Sequence, residues 1–298
     1  MRVSSVYWLA HSGIAVVGHT PPRVRHAVAS TVTSASYMGW RSKRLHTRQN
    51  MATVLGLPIG DTRVRRAALA SWSNYGRTAA ALLCLPYMDM RDVEARTEDA
   101  TEDVTWLDHL AAATAPGKGA IITTGHFGNW DLAAAIAARH VGLSALVDTF
   151  GDPRLDGLLQ GHRRDKSVNV IPVGAARRVL TELGDGRAVA IATDRPVSSG
   201  RGVEVSFFGR PTHVPAGAAT LAMMSGAAVM PGFVWYAPGG GYYIRTFAPM
   251  FPSAVTNYPE RQQEIRRLTQ YMFACQEEVV RENPTQWFMF RRFWPAAA

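Results

Sequence analysis

Two hydrophobic patterns divide the chain. Through residue 115, apolar positions recur at helical spacing in HTRQNMATVLGL and ALASWSNYGRTAAALLCL, and the pattern ends in the acidic stretch EARTEDATEDV. From Gly119 onward the period shortens. Apolar, β-branched runs at AIITT, SALVD, VNVIPV, AVAIAT, VSFF, AAVMPGFVWY and YYIRTF predict strands. Between them NWDLAAAIAARH, AARRVLTELGDG and AGAATLAMMSG predict helices, and ERQQEIRRLTQYMFACQEEVVREN predicts a last long one. Strand and helix in repeated order indicate an α/β fold: a helical N-terminal region (1–115) followed by a mostly parallel or mixed central sheet flanked by helices (116–298), read as a single domain over 1–298.

Long apolar stretches test for a membrane span. Val214 to Ile244 lacks Asp, Glu, Lys and Arg, but Pro215, Pro231, Pro238 and the glycines at 239–241 interrupt it, so helix, strand, turn and strand inside a core is the better reading. Near the start, YWLAHSGIAVVG is broken by His11 and followed by PPRVRH in place of a small-residue cleavage site, so no signal peptide is expected.

Composition adds three constraints. Hydrophobic residues make up 47% of 298, ordinary for a folded chain with a sizeable core. Cys84 and Cys275 both lie in apolar surroundings and are expected to be buried free thiols of a reducing compartment. The net charge of +9 calls for an anionic partner. No zinc-finger spacing or RNP-like run supports nucleic acid. Arg23, Arg25 and RSKRLHTR (41–48), interleaved with apolar residues, fit peripheral attachment to an anionic membrane surface.

The candidate chemistry sits in GHFGNWDLA (125–133), where His126 and Asp131 stand five residues apart. On a helix that offset leaves two side chains about 140° apart, and on a strand it puts them on opposite faces. Cooperation therefore requires a turn, and the sequence offers one: strand AIITT, a Gly-flanked loop carrying His126, and a helix capped by Asn129 with Asp131 in its first turn. A histidine oriented by a carboxylate is a general base near neutrality. Without those roles, His126 is a hydrogen-bonded structural residue and Asp131 a favourable charge at a helix N-terminus. GxSxG, HExxH, a metal-binding His and Cys cluster, GxGxxG and the P-loop are all absent, so no metal or resident cofactor is expected and direct transfer between two substrates remains.

GHFGNWD resembles the H-x-x-x-x-D signature of the bacterial lipid A lauroyl and myristoyl acyltransferase family, which includes a phosphatidylinositol mannoside branch. TRQNMATVLG, TWLDHLAAATAPGKGAIITTGHFGNWDLA, ATDRPVSSGRGVEVSFFGRPTHVPAGAATLAMMSGAAVMP and PTQWFMFRRFWP resemble four of its blocks, in the family's order. The resemblance implies an O-acyltransferase with His126 as base and Asp131 orienting it, and acyl-CoA or acyl carrier protein as donor, acyl-CoA being preferred. It implies an arginine within GHRRDKSVNVIPVG that holds an anionic group or an oxyanion, with Arg164 the first choice and Arg163 the second. Glu204 in GVEVSFF matches the mannoside branch and would be a third member of the site, unless that strand simply turns Glu204 to water. Phe127, Trp130, Met223 and Met224 are candidates to line an acyl groove, with Asn129 beside them. The expected acceptor is an anionic glycolipid, the expected place the cytoplasmic face of the plasma membrane, and the expected state a monomer. A lipid A-type or glycerolipid acyltransferase, a non-catalytic acyl-lipid-binding protein and a thioesterase are the alternatives.

Overall fold

The computed structural model describes residues 20–198 and 202–295, together with Ile14 and Gly18; most of YWLAHSGIAVVG lies outside the described residues. Three helices open it: α1 (Pro22–Gly39), α2 (Arg41–Leu55) and α3 (Thr62–Cys84). Asp61 caps α3 by accepting from the Arg63 N–H, and Gly56 ends α2 in the left-handed conformation. A short α4 (Met90–Ala95), strand β1 (Thr97–Asp99) and α5 (Trp106–Thr114) lead into the sheet region.

The strands then alternate with helices: β2 (Ala120–Thr124), α6 (Trp130–Ala137), β3 (Leu143–Val147), α7 (Pro153–Arg164), β4 (Val168–Pro172), α8 (Ala176–Gly184) and β5 (Ala188–Ala192), all of them as the pattern predicts except α7, which it does not include. A hairpin of β6 (Val203–Phe207) and β7 (Arg210–Val214) stands apart as a two-stranded sheet. After it come α9 (Gly217–Ser225), β8 (Ala228–Tyr236), β9 (Tyr242–Thr246) and α10 (Tyr258–Glu282).

Seven strands form the main sheet in the order β1-β9-β8-β2-β5-β3-β4. All neighbours are parallel except β8 and β9, which are antiparallel. Every residue of β8 is buried, as a strand covered on both faces requires. Pro231 falls where β8 passes from pairing with β2 to pairing with β9, and so interrupts neither ladder within its run. One apolar layer, from α8, α9, α10 and the β6–β7 hairpin, packs on one face of the sheet. On the other, α5 and α6 supply Leu110, Ala113, Leu132, Ala135 and Ile136.

Two strands differ from the pattern. β1 is three polar residues and gives no hydrophobic signal, yet it extends the sheet by pairing with β9. β7 contains Pro211 and forms at the edge of a two-stranded sheet, where a missing N–H is tolerated. Among the described residues no helix is long and apolar enough to cross a membrane. Cys84 and Cys275 are buried free thiols, and burial pushes Cys275 up to about 12.

Candidate active site

His126 leaves the C-terminal end of β2 on a loop that only glycine at two positions permits. A Cβ on Gly125 would lie 2.3 Å from Gln276 Nε2 and 2.9 Å from Asp194 Oδ2. Gly128 has φ +58°, and a Cβ there would meet the Val234 carbonyl at 2.1 Å. The loop is pinned on both sides, because the Gly128 N–H donates to Gln286 O and the Asn129 N–H to Val234 O. Asn129 then starts α6 by accepting from the Leu132 N–H, while its Nδ2 donates to the Tyr236 hydroxyl at 3.2 Å.

The carboxylate that meets the imidazole is Asp194, just past the end of β5. Because β2 and β5 are parallel neighbours, with Thr124 opposite Ala192, their following loops emerge at the same edge of the sheet. Asp194 Oδ1 sits 2.6 Å from His126 Nδ1, and Oδ2 accepts from the backbone N–H of His126 at 2.8 Å. Gln276 Nε2 on α10 and Trp287 Nε1 each add a bond to Oδ2 at 3.1 Å. The Asp194 side chain is 0% exposed and that of His126 26%. Burial alone would raise the Asp194 pKa, but the His126 charge and these hydrogen bonds outweigh it and hold the group below its ordinary range. An ionised acceptor on Nδ1 fixes a proton there and leaves Nε2 to take one.

Asp131 has another partner. Arg163 Nε donates to its Oδ1 at 2.7 Å, and Arg163 Nη1 donates to Gln160 Oε1 at 2.6 Å, all three residues being buried. The strand, loop and helix around His126 form as the sequence indicates, but α6 turns Asp131 toward α7, and no hydrogen bond joins it to His126 among the described residues. Tyr75 lies beside the pair, its hydroxyl raised by burial and then by the Asp131 charge. Of the two arginines, Arg163 is buried with Asp131 and Arg164 is exposed, which reverses the preferred placement.

Glu204 is the other correction. β6 alternates, burying Val203, Val205 and Phe207 and exposing Glu204 and Ser206. The Glu204 side chain is 63% exposed and faces His213 across the hairpin at 3.9 Å, so the water-facing alternative holds. Phe127 is fully buried against Phe233 and Trp235 as a core residue and not a groove wall. Met223 packs on the core and Met224 is exposed. Trp130 has its ring 5.4 Å from that of His126 and also lines an apolar cavity between α5, α6 and the sheet, with Thr124, Ala134, Ala190, Met230 and Phe233.

Asp194, Gln276 and Trp287 escape local pattern reading because each comes from a different part of the chain. The available signal for Asp194 was a carboxylate two residues beyond an apolar strand, the same position relative to β5 that His126 holds relative to β2.

A family model described as bacterial lipid A biosynthesis acyltransferase matches residues 1–295. A phosphatidylinositol mannoside acyltransferase of Mycobacterium tuberculosis (strain CDC 1551 / Oshkosh) is 30% identical over 273 residues, 89% of this chain and 81% of that protein. The same-named protein of Mycolicibacterium smegmatis is 30% identical over 257 residues, 84% and 79% of the two chains. Among solved structures, the 1-acyl-sn-glycerophosphate acyltransferase PlsC of Thermotoga maritima aligns with a TM-score of 0.37 at 12% identity, covering 84% of this chain and 97% of that one. With the match running over nearly its whole length, the chain belongs to the bacterial lipid A biosynthesis acyltransferase family.

Proposed function

We propose that the protein moves a fatty acyl chain from acyl-CoA to a sugar hydroxyl of an anionic glycolipid, with a phosphatidylinositol mannoside as the leading acceptor, working as a monomer on the cytoplasmic leaflet. The observation that carries this reading is the imidazole of His126, held through Nδ1 by a buried carboxylate that accepts four hydrogen bonds. In the proposed step Nε2 takes the proton of the acceptor hydroxyl as its oxygen attacks the thioester carbonyl. The new ester C–O bond forms, the C–S bond breaks, and the imidazolium returns the proton to the leaving thiolate. Asp194 stabilises that imidazolium and holds the tautomer. General-base help of this kind is worth about 10²- to 10⁴-fold. Asp131 and Arg163 act one layer behind, fixing α6 against α7 and with it the position of Trp130 beside the imidazole.

The acceptor assignment leans on relatives whose names specify phosphatidylinositol mannosides. For the acyl chain, the cavity bounded by Trp130, Ala134 and Phe233 is apolar and adjoins the imidazole through Trp130.

Thiol release from palmitoyl-CoA, measured with and without glycolipid for wild type and His126→Ala, tests the whole reading. Acceptor-dependent release that vanishes in the variant, with acylated glycolipid appearing by mass, is the expected result. Release that needs no acceptor indicates a hydrolase, and no release with any donor indicates a lipid-binding protein.

A further inference from the structure

Beneath α1, Arg25 and Arg77 lie together with no carboxylate paired to either among the described residues. Arg25 projects from the inner face of α1 and Arg77 from α3, where the two helices touch so closely that a Cβ on Gly76 would lie 2.6 Å from the Ala29 carbonyl oxygen. The Arg77 guanidinium carbon stands 4.0 Å over the ring of Tyr236, and the His26 ring meets the same tyrosine at 6.4 Å. Tyr242 packs beside Tyr236 with ring centroids 5.5 Å apart and the rings tilted by 44°, and both guanidiniums act on its phenol.

Neither arginine has a carboxylate within ion-pair reach among the described residues. Among the described residues the buried Arg25 Nε has no hydrogen-bond partner, although another part of that guanidinium reaches the Cys84 thiol. His26 reports the local field: burial first, then Arg77 and Arg25, lower it to about 4. The first sixty residues supply no neutralising charge, since they contain seven Lys and Arg and no Asp or Glu. Partly buried guanidiniums that share a site without an acid are costly unless an anion completes them.

We propose that Arg25, Arg77 and the Tyr242 hydroxyl form a phosphate-group pocket that holds the phosphodiester of an anionic lipid headgroup while its sugar reaches His126. Two guanidinium forks match the oxygens of a phosphate better than a single charge would. The pocket adjoins the catalytic loop directly. Thr78, next to Arg77, donates to Gly128 O at 2.8 Å, and Asn129 Nδ2 reaches the Tyr236 hydroxyl that lies under Arg77. The lipid identity of the anion rests on the acyl-transfer reading; the anion site itself does not.

Binding of glycerophosphoinositol, inorganic phosphate and inositol to the full chain, by calorimetry and by the NMR shift of the His26 ring, separates the cases. A saturable complex with either phosphate compound and none with inositol is expected, with His26 becoming easier to protonate as the anion offsets the guanidinium charges. The Arg25→Gln/Arg77→Gln double variant should bind at least about tenfold more weakly, as loss of charged hydrogen bonds implies, while Arg77→Lys, which keeps the charge but not the fork, should bind with an affinity between those of the double variant and the wild type. Tighter binding of glycerophosphoinositol names the headgroup as source, and equal or tighter binding of inorganic phosphate overturns the lipid half of the proposal. No binding, or undiminished binding in a folded double variant, overturns the pocket. If the double variant does not fold, the His26 shift in the wild type still decides. An inactive protein that binds the headgroup would remove the acyl-transfer reading alone.

Discussion

At the scale of single residues, two carboxylates near the histidine have separable tasks. Asp194 touches the imidazole, so Asp194→Asn is expected to lower kcat by about 10²- to 10⁴-fold while the fold persists, as measured by thiol release beside a thermal melt. Unchanged turnover in that variant would remove Asp194 from the mechanism. Asp131→Ala leaves Arg163 buried and unpaired, and a loss of about 3–5 kcal/mol is expected in denaturant unfolding. If Asp131→Ala instead lowers kcat at full stability, the two tasks are reversed. Glu204→Gln should change neither quantity, since its side chain faces water. Asp194 also gives a pH sign. Its folded pKa lies below the ordinary value, so its contribution to stability is complete above the unfolded pKa of about 3.9 and fades as the pH falls beneath it. His126 was legible in the sequence because its loop, its glycines and its helix cap are all local. The carboxylate that meets it was not, since it comes from a strand that becomes a neighbour only when the sheet forms.

At the scale of elements, periodicity located every buried strand of the main sheet, because burial on both faces leaves a continuous apolar run, and it located α6 and α10, but it gave no sign of α7, which carries Arg163 and Gln160. β1, which has no buried residue, and β7, which buries only Thr212 and Val214, left no such trace. The same limit applies to the C-terminal segment after α10, which has little regular structure but carries Trp287 to Asp194. Asn50 on α2 ties that segment down: its Nδ2 donates to Met289 O and Arg291 O, and its Oδ1 accepts from the Phe293 N–H. Asn50→Ala leaves three backbone groups without this partner, the Met289 carbonyl and the Phe293 N–H among them in buried bonds. A loss of roughly 1–3 kcal/mol is expected, together with reduced kcat through the displaced Trp287. Equal stability of variant and wild type would show that the segment is held elsewhere. On α6, Ala134→Phe narrows the apolar cavity beside Trp130, and donor preference should shift from palmitoyl-CoA toward shorter chains. An unchanged chain-length profile would place the acyl chain in another groove.

At the scale of the whole molecule, α1 has its polarity reversed. Arg25 and His26 face inward toward α3, while Val28 and Val32, each 59% exposed, continue the outward line begun by Val24. Met38, Trp40 and Leu45 are exposed too, and Arg23, Arg41, Lys43 and Arg44 lie on the same two helices. An outward aliphatic stripe with basic residues on the same helices suits the interface of an anionic bilayer, where it would set the phosphate pocket under α1 at headgroup depth. Each valine that leaves water is worth about 1.5 kcal/mol or more, and the cations add attraction that salt screens. The protein should therefore sediment with vesicles of phosphatidylcholine containing phosphatidylinositol, and less with phosphatidylcholine alone. Raising the salt from 0.1 M to 1 M shortens the screening length from about 10 Å to about 3 Å and should release much of it. Val28→Asp/Val32→Asp should weaken binding at least about tenfold while leaving thiol release from dispersed, detergent-solubilised substrates intact. Binding indifferent to lipid charge, or untouched by the double substitution, would move the docking surface off α1; a change in oligomeric state of the variant would instead identify the stripe as a contact between two copies of the chain.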